Sequence, residues 1–189
     1  MERLSFLATF VSLIYGLGVA NVLGHLAGLI KRGRDTDWFW VHSLWALCLL
    51  VMMAGFWWIL QNWRKEPSIG FFNYLSLLLM PSMLYVVSDV LFPDRHASGP
   101  VDLKTHFFAV RRPFFLMYAA LLFADEVDSV QKGWDHVMAL GPVYWTTQVV
   151  GYTTAVIGYR STRVWVQGGI VLFTLVSFVA GIAHALGSV

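Results

Sequence analysis

Long apolar windows without a charged residue constrain this chain more than any other feature. A transmembrane helix needs about 20 mostly apolar residues to cross the hydrocarbon core of a bilayer. Five windows reach that length, at residues 4–30, 38–63, 67–88, 136–159 and 164–189. The chain is 58% hydrophobic and only 13% charged, whereas a soluble domain carries roughly 25% charged residues. The sequence therefore predicts a protein embedded in a membrane.

A sixth apolar run, at residues 113–124, is too short to cross a membrane unaided. Arg111 and Arg112 precede it, and the acidic segment 125–128 follows it. Extended to 107–127, this run makes a full span if the charged side chains reach the two interfaces. We therefore predict an all-α fold in one domain, residues 1–189, with six transmembrane helices joined by short loops. The predicted spans are 4–30, 38–63, 67–91, 107–127, 134–159 and 164–187.

Lysine and arginine are unevenly divided between the two predicted sides of the membrane. Loops one, three and five hold nine of these residues, and the other side holds four. Cytoplasmic loops usually carry the excess of basic residues. We therefore expect loops one, three and five in the cytoplasm, with the N-terminus and the C-terminus both outside.

The third loop is the longest polar segment and leads into the fourth span. Asp102 is the predicted N-cap of that helix. Residues 103–110 are predicted to lie along the membrane surface, with Pro113 marking the bend into the span. Asp89, near the end of the third span, is expected to pair with Arg111 and Arg112 at the same depth.

Small residues recur every four positions along the first span. Such a stripe lets another helix approach closely, because packing rather than water exclusion holds helices together in lipid. The partner is either a helix of the same chain or a second copy of the chain in a homo-oligomer. The stripe consists of Ser12, Gly16, Ala20, Gly24 and Gly28.

The sequence lacks the features of several functional classes. The single cysteine, Cys48, leaves no intrachain disulfide and no cysteine-based metal cluster. No lysine lies inside a predicted span, as a retinal Schiff base would require, and there is no HExxH motif of a zinc protease. The net charge of +2 is spread over separate short loops, so no nucleic-acid partner is expected.

Polar side chains within or beside the spans are the candidate ligand-facing residues, because they are costly in lipid and often mark a transport path. Pro81 and the polar fifth span add the interrupted helices that transporters use. The candidates are Asn21, His25, Asp89, His106, Arg111, Arg112 and Gln148.

The histidines allow a second hypothesis, a b-type haem protein that carries electrons across the membrane. Haem b takes an imidazole on each axial position. His25 and His42 are expected toward the cytoplasmic side, and His136 and His184 toward the outer side. No span holds two histidines, so the leading hypothesis includes no cofactor.

A third hypothesis is an interfacial lipid-modifying enzyme. Such enzymes use clustered acidic, imidazole and basic groups near one interface. The corresponding residues on the predicted cytoplasmic side are Asp89, Arg95, His96, Asp102, His106, Arg111 and Arg112.

Three motifs carry a resemblance to known proteins. They are YGLGVANVLGHL in the first span, WFWVHSLWAL with FWW in the second, and H-x4-R-R-P-F-F at the start of the fourth, residues 106–115. In these the chain resembles a group of small bacterial inner-membrane proteins with six transmembrane helices and no assigned activity. The resemblance implies a compact six-helix protein of the bacterial inner membrane and carries over no catalytic residue.

The leading hypothesis is a non-enzymatic membrane protein. We expect it to transport a small solute or ion, or to support a membrane complex, as an oligomer within the lipid bilayer.

Overall fold

The computed structural model describes residues 2–59, 70–95 and 99–187. These residues form seven α-helices and one pair of two-residue strands, β1 (Thr36–Asp37) and β2 (Val101–Asp102). A 3₁₀ turn at Gly33–Asp35 follows the first helix. The helices are α1 (Glu2–Arg32), α2 (Trp40–Ile59), α3 (Phe71–Leu91), α4 (Leu103–Gln131), α5 (Trp134–Ala139), α6 (Gly141–Arg160) and α7 (Val164–Gly187).

Within these ranges five helices, α1, α2, α3, α4 and α7, are long and apolar enough to cross a membrane. The prediction of an all-α protein with membrane-length helices is confirmed. Helix α6 has 20 residues, a length of roughly 30 Å, but its Thr, Tyr and Gln side chains make it more polar than the other five. Residues 60–63 of the predicted second span and 67–69 of the third lie outside the described residues.

The long helices contact one another in a closed circuit. Helix α1 packs against α3, α3 against α4, α4 against α6, α6 against α7, α7 against α2, and α2 against α1. Helix α2 also contacts α3 and α4, so its side chains fill the middle of the bundle. Trp45 of α2 is fully buried there, with its ring edge-on to Phe114, Phe115 and Tyr118 of α4 at centroid distances of 4.9, 5.7 and 5.6 Å.

The loops that precede α2 and α4 meet at one end of the bundle. Strands β1 and β2 pair in parallel there, and Arg32 donates hydrogen bonds to the Gly99 and Arg95 carbonyls at 3.1 and 3.2 Å. Trp40 at the start of α2 covers Gly168 near the start of α7. We call this the basic end, because its loops and adjoining helix turns contain Lys31, Arg32, Arg34, Arg95, Lys104, Arg111, Arg112, Arg160 and Arg163.

Helices α4 and α6 run antiparallel in one fixed register. Moving a number of residues toward the C-terminus of α4 corresponds to moving the same number toward the N-terminus of α6. Toward the basic end large apolar side chains of α4 pack directly on glycines of α6, and toward the opposite end polar side chains face polar side chains. The facing pairs, with the α4 residue first, are Phe115 with Gly158, Leu122 with Gly151, Asp125 with Gln148, and Ser129 with Tyr144.

The start of α4 differs from the prediction. Residues 103–110 form the first turns of α4 and pack on the bundle, since Leu103 and Phe107 are fully buried and Phe107 lies 5.9 Å from the Phe39 ring. The helix continues through Pro113 without a break and runs on to Gln131. The acidic segment 125–128 is therefore part of the helix and does not form a loop.

The predicted fifth span, 134–159, is also different, since the helix is interrupted. Helix α5 ends at Ala139, and Gly141 has a φ of 69°, a conformation that glycine adopts readily. Pro142 follows within the first turn of α6, where its missing N–H costs no hydrogen bond. A short helix and a long helix thus replace one kinked helix.

We expect Gly158→Ala to lower the free energy of unfolding by about 1–3 kcal/mol. An added Cβ would overlap the ring of Phe115, which is buried. Gly169→Ala is the matched control, since a Cβ there meets nothing within 4 Å and alanine favours a helix. Thermal unfolding of the purified protein in detergent measures both variants. Equal destabilisation by the two changes would contradict the α4–α6 packing.

Candidate functional site

Two polar clusters lie toward opposite ends of the bundle. The basic-end cluster joins α1 to the end of α3 and comprises Asn21, His25, Ser88, Asp89 and Arg95. The Asp125 cluster joins α4 to α6 and comprises Asp125, Ser129, Tyr144 and Gln148.

Arg95 binds α1 in the basic-end cluster. Its Nη2 donates to the Asn21 carbonyl at 2.9 Å and to Asn21 Oδ1 at 2.5 Å. The guanidinium lies over Gly24, where a Cβ would come within 3.1 Å of Nη1. Gly24 therefore provides space for an arginine side chain and not for a neighbouring helix backbone.

Asp89 has partners other than those predicted. Its Oδ1 is 3.5 Å from Asn21 Nδ2 and 3.5 Å from His25 Nε2. The second distance is that of an ion pair, but the imidazole is not aligned for a hydrogen bond. Because α3 lies beside α1, the carboxylate faces α1, although 62% of the Asp89 side chain is exposed.

The predicted pairing of Asp89 with Arg111 and Arg112 is therefore wrong. Arg111 Nη1 donates to the Phe108 carbonyl of its own helix at 2.8 Å. The Arg112 guanidinium lies 5.7 Å from the centre of the Tyr159 ring, a cation–π contact with α6.

Three histidines surround the C-terminal end of α3. His42 and His106 each place Nε2 3.1 Å from the Leu91 carbonyl oxygen. His25 stacks on Phe92 at 4.8 Å, and His42 meets the same ring edge-on at 5.0 Å. These contacts satisfy a carbonyl at a helix end, where the regular helical donors are missing.

The structure does not bring the haem candidates into one arrangement. His136 lies in α5, away from His25 and His42 at the basic end, and the side chain of His184 lies outside the described residues. In the described part of the chain no three His, Cys, Asp or Glu side chains form a group that could hold a metal ion. Haem binding stays a hypothesis.

The small-residue stripe of α1 does not pack against another helix of this chain along most of its length. A Cβ at Gly16 or Gly28 would meet nothing within 4 Å, and Ala20 is exposed. The buried face of α1 is instead formed by Val11, Tyr15, Val22, His25 and Leu29. Of the two alternatives, close packing inside the chain is wrong for Gly16 and Gly28. A seam between two copies stays a prediction.

The residues proposed for an interfacial enzyme are dispersed among structural contacts. Asp102 caps α4: its Oδ1 accepts from the Lys104 and Thr105 amides at 2.9 and 3.1 Å, and its Oδ2 accepts from the Thr105 hydroxyl at 2.5 Å. These bonds, the Thr105 hydroxyl first, lower the pKa of Asp102. His106 binds the Leu91 carbonyl, and His96 lies outside the described residues. An interfacial enzyme stays a hypothesis.

The Asp125 cluster places a carboxylate inside the α4–α6 contact. Asp125 Oδ2 accepts hydrogen bonds from Tyr144 Oη and from Gln148 Nε2, both at 2.8 Å. Gln148 Nε2 also donates to Tyr144 Oη at 2.9 Å. Ser129 Oγ is 3.4 Å from the same phenol oxygen. Since the Tyr144 hydrogen points to Asp125, the serine hydroxyl is the donor of that contact.

Gln148 has one unsatisfied group. Only 5% of this residue is exposed, and its Oε1 is buried without a hydrogen-bond partner among the described residues. A buried carbonyl oxygen without a donor costs about 1–3 kcal/mol. Exchanging the amide oxygen and nitrogen would place an oxygen against the carboxylate, so the assigned orientation is the better one.

Sequence reasoning selected Gln148 and did not select Asp125. The charge-free run ends just before Asp125, and this pattern predicts an acidic segment at the membrane interface. Helical spacing contained a usable signal, since Asp125, Asp128, Ser129 and Lys132 recur at three- or four-residue intervals and so share one face. The tyrosine and glutamine at 144 and 148 form a similar polar face.

Comparisons with protein-family models, with characterised proteins and with solved structures found no match. The resemblance drawn from the sequence motifs stays a prediction.

We expect Asn21 and Arg95 to be energetically coupled through their 2.5 Å hydrogen bond. In a double-mutant cycle of Asn21→Ala and Arg95→Ala, the coupling free energy should be about 0.5–3 kcal/mol. Thermal unfolding of the four proteins measures it. A cycle of Asn21→Ala with Arg34→Ala, an exposed arginine beyond the end of α1, serves as the control and should be additive. Additivity in the first cycle would contradict the contact.

The capping carboxylate of Asp102 predicts a pH dependence. Because its pKa is lowered in the folded protein, its charged form stabilises the fold above the unfolded carboxyl pKa of about 3.9. That stability is lost as the pH falls through the folded pKa. Asp102→Ser keeps a neutral cap. The melting temperature of the native protein should exceed that of the variant at pH 7, and the difference should shrink by pH 3. A difference independent of pH would contradict this.

Proposed function

We propose that this chain is a six-span protein of the bacterial inner membrane that transports a small solute or ion. In this topology α6 is the sixth span beside α1, α2, α3, α4 and α7. The alternating directions of these helices support it, as does the length of α6, which at 20 residues equals that of α2. The basic end faces the cytoplasm, in line with the usual excess of basic residues on that side.

The observation that carries the transport proposal is the Asp125 carboxylate within the α4–α6 contact. An ionisable group inside a membrane helix is costly and typically serves an ion path or a proton relay. Asp125 lies six residues before the end of α4, roughly 9 Å along the helix axis. Two neutral donors hold it, and no arginine or lysine makes a hydrogen bond to it among the described contacts.

The interrupted helix next to this carboxylate supports the same function. Helix α5 contacts α4 and breaks from α6 at Leu140 and Gly141, and Tyr144 and Gln148 lie in the first two turns after the break. Transporters commonly build their substrate sites where a discontinuous helix meets its neighbour. Asp89 is a weaker candidate, because its exposed carboxylate lies at the basic end beside α1.

The experiment is flux into vesicles that contain the purified protein. Uptake of sodium-22 and of rubidium-86, and proton entry reported by an internal pH dye, are measured under an imposed gradient. We expect at least one probe to enter faster than it enters protein-free vesicles. Asp125→Asn should reduce that flux to the protein-free level, and Gln148→Ala should lower it, because both remove groups from the path.

Asp135→Asn is the matched control, since Asp135 is an exposed carboxylate on α5 near the same end. This variant should keep the native flux. Native protein that carries none of the three probes would contradict transport of ions. Native flux through a folded Asp125→Asn variant would show that Asp125 is not part of the ion path.

A further inference from the structure

We infer that the Asp125 cluster is a binding site for a small monovalent cation, either an alkali-metal ion or a primary ammonium group. The inference rests on the proposed transport function and names its substrate class. It is drawn from the kind of atoms present, from one unsatisfied oxygen and from the local charge.

Oxygen atoms dominate the cluster. Asp125 supplies a carboxylate, Ser129 a hydroxyl oxygen and Gln148 an amide oxygen, and the Tyr144 hydroxyl holds all three side chains together by hydrogen bonds. Hard cations prefer such oxygen ligands, whereas softer transition metals take thiolate or imidazole. A primary ammonium group has three hydrogen-bond donors and no acceptor, so it suits the same atoms.

The unsatisfied oxygen points to a ligand more directly. Gln148 Oε1 belongs to an amide whose nitrogen is already bonded to Asp125 Oδ2 and to Tyr144 Oη. The amide nitrogen is therefore held against the carboxylate, and the amide oxygen is buried without a donor. A cation bound between this oxygen and the carboxylate would satisfy both groups. An anion would meet two acceptors and be repelled.

The single carboxylate within the cluster favours a monovalent ligand. The last two turns of α4 carry three carboxylates, Asp125, Glu126 and Asp128, and one amine follows at Lys132. Lys132 Nζ pairs with Asp128 Oδ2 at 2.5 Å. Asp125 is the one carboxylate of the cluster, and its described hydrogen bonds come from neutral donors, so a monovalent cation matches it. Divalent-cation sites assembled from protein usually use several carboxylates.

Equilibrium binding tests the site independently of transport. The thermal unfolding of detergent-solubilised native protein is followed in sodium, potassium and methylammonium chloride. N-methylglucamine chloride at equal ionic strength is the reference, because its cation is too bulky for the cluster. We expect at least one small cation to raise the melting temperature by several degrees, with saturation, since a ligand that binds the folded state stabilises it. A shift with methylammonium alone identifies an amine site, and a shift with sodium or potassium alone identifies a metal-ion site.

Variants then assign the effect to this cluster. Asp125→Asn should abolish the shift, and Asp135→Asn should keep it. If Asp125→Asn does not fold, Tyr144→Phe replaces it. This change removes one hydroxyl and should raise the half-saturating cation concentration about tenfold. Equal shifts in every salt, including the bulky reference, or an unchanged shift in Asp125→Asn or Tyr144→Phe, would overturn the inference.

The two proposals fail in different ways. Cation-specific stabilisation without flux into vesicles would keep the binding site and reject transport. Flux in the native protein without any cation-specific stabilisation would keep transport and reject this site.

Discussion

The antiparallel register of α4 and α6 determines where the most unusual polar groups of this protein lie. Gly158 and Gly151 give Phe115 and Leu122 direct contact with the α6 backbone, which is the kind of close approach that holds helices together in lipid. The same register continues toward the opposite end and brings Gln148 beside Asp125. Because backbone glycines set the spacing, a shift of one turn would separate the carboxylate from both of its donors.

The basic end is held together differently, by side chains that bind backbone carbonyls. Arg32 donates to two loop carbonyls, Arg95 to Asn21, and two histidines approach the carbonyl of Leu91. Carbonyls in loops and at helix ends lack regular backbone donors, and side chains supply several of them here. This end is therefore ordered by contacts that need positive or imidazole groups. The excess of arginine at this end and the structural use of arginine coincide in the same residues.

Much of the fold could be predicted from the sequence, because a membrane helix must satisfy its own backbone and so leaves a long apolar window. The long charge-free apolar windows predicted the positions of α1, α2, α3 and α7. Such a window does not reveal the full length of a helix that has charged residues inside it. Asp125 ended the apolar run, and the sequence offered no way to see that Tyr144 and Gln148 would supply donors from another helix. The prediction of close helix packing at Gly24 is wrong for a similar reason. A glycine that makes room for an arginine has the same sequence pattern as one that makes room for a helix.

Two acceptors of the Asp125 cluster, the partly buried carboxylate and the buried amide oxygen of Gln148, constrain how the site can work. A protein that needed only a structural link between α4 and α6 would be served by a neutral pair, because a charged carboxylate costs far more to bury than an amide. The two neutral donors at Asp125 compensate part of that cost without supplying an opposite charge. The unsatisfied oxygen of Gln148 belongs to the same amide that binds this carboxylate. The proposed cation would relieve both costs together.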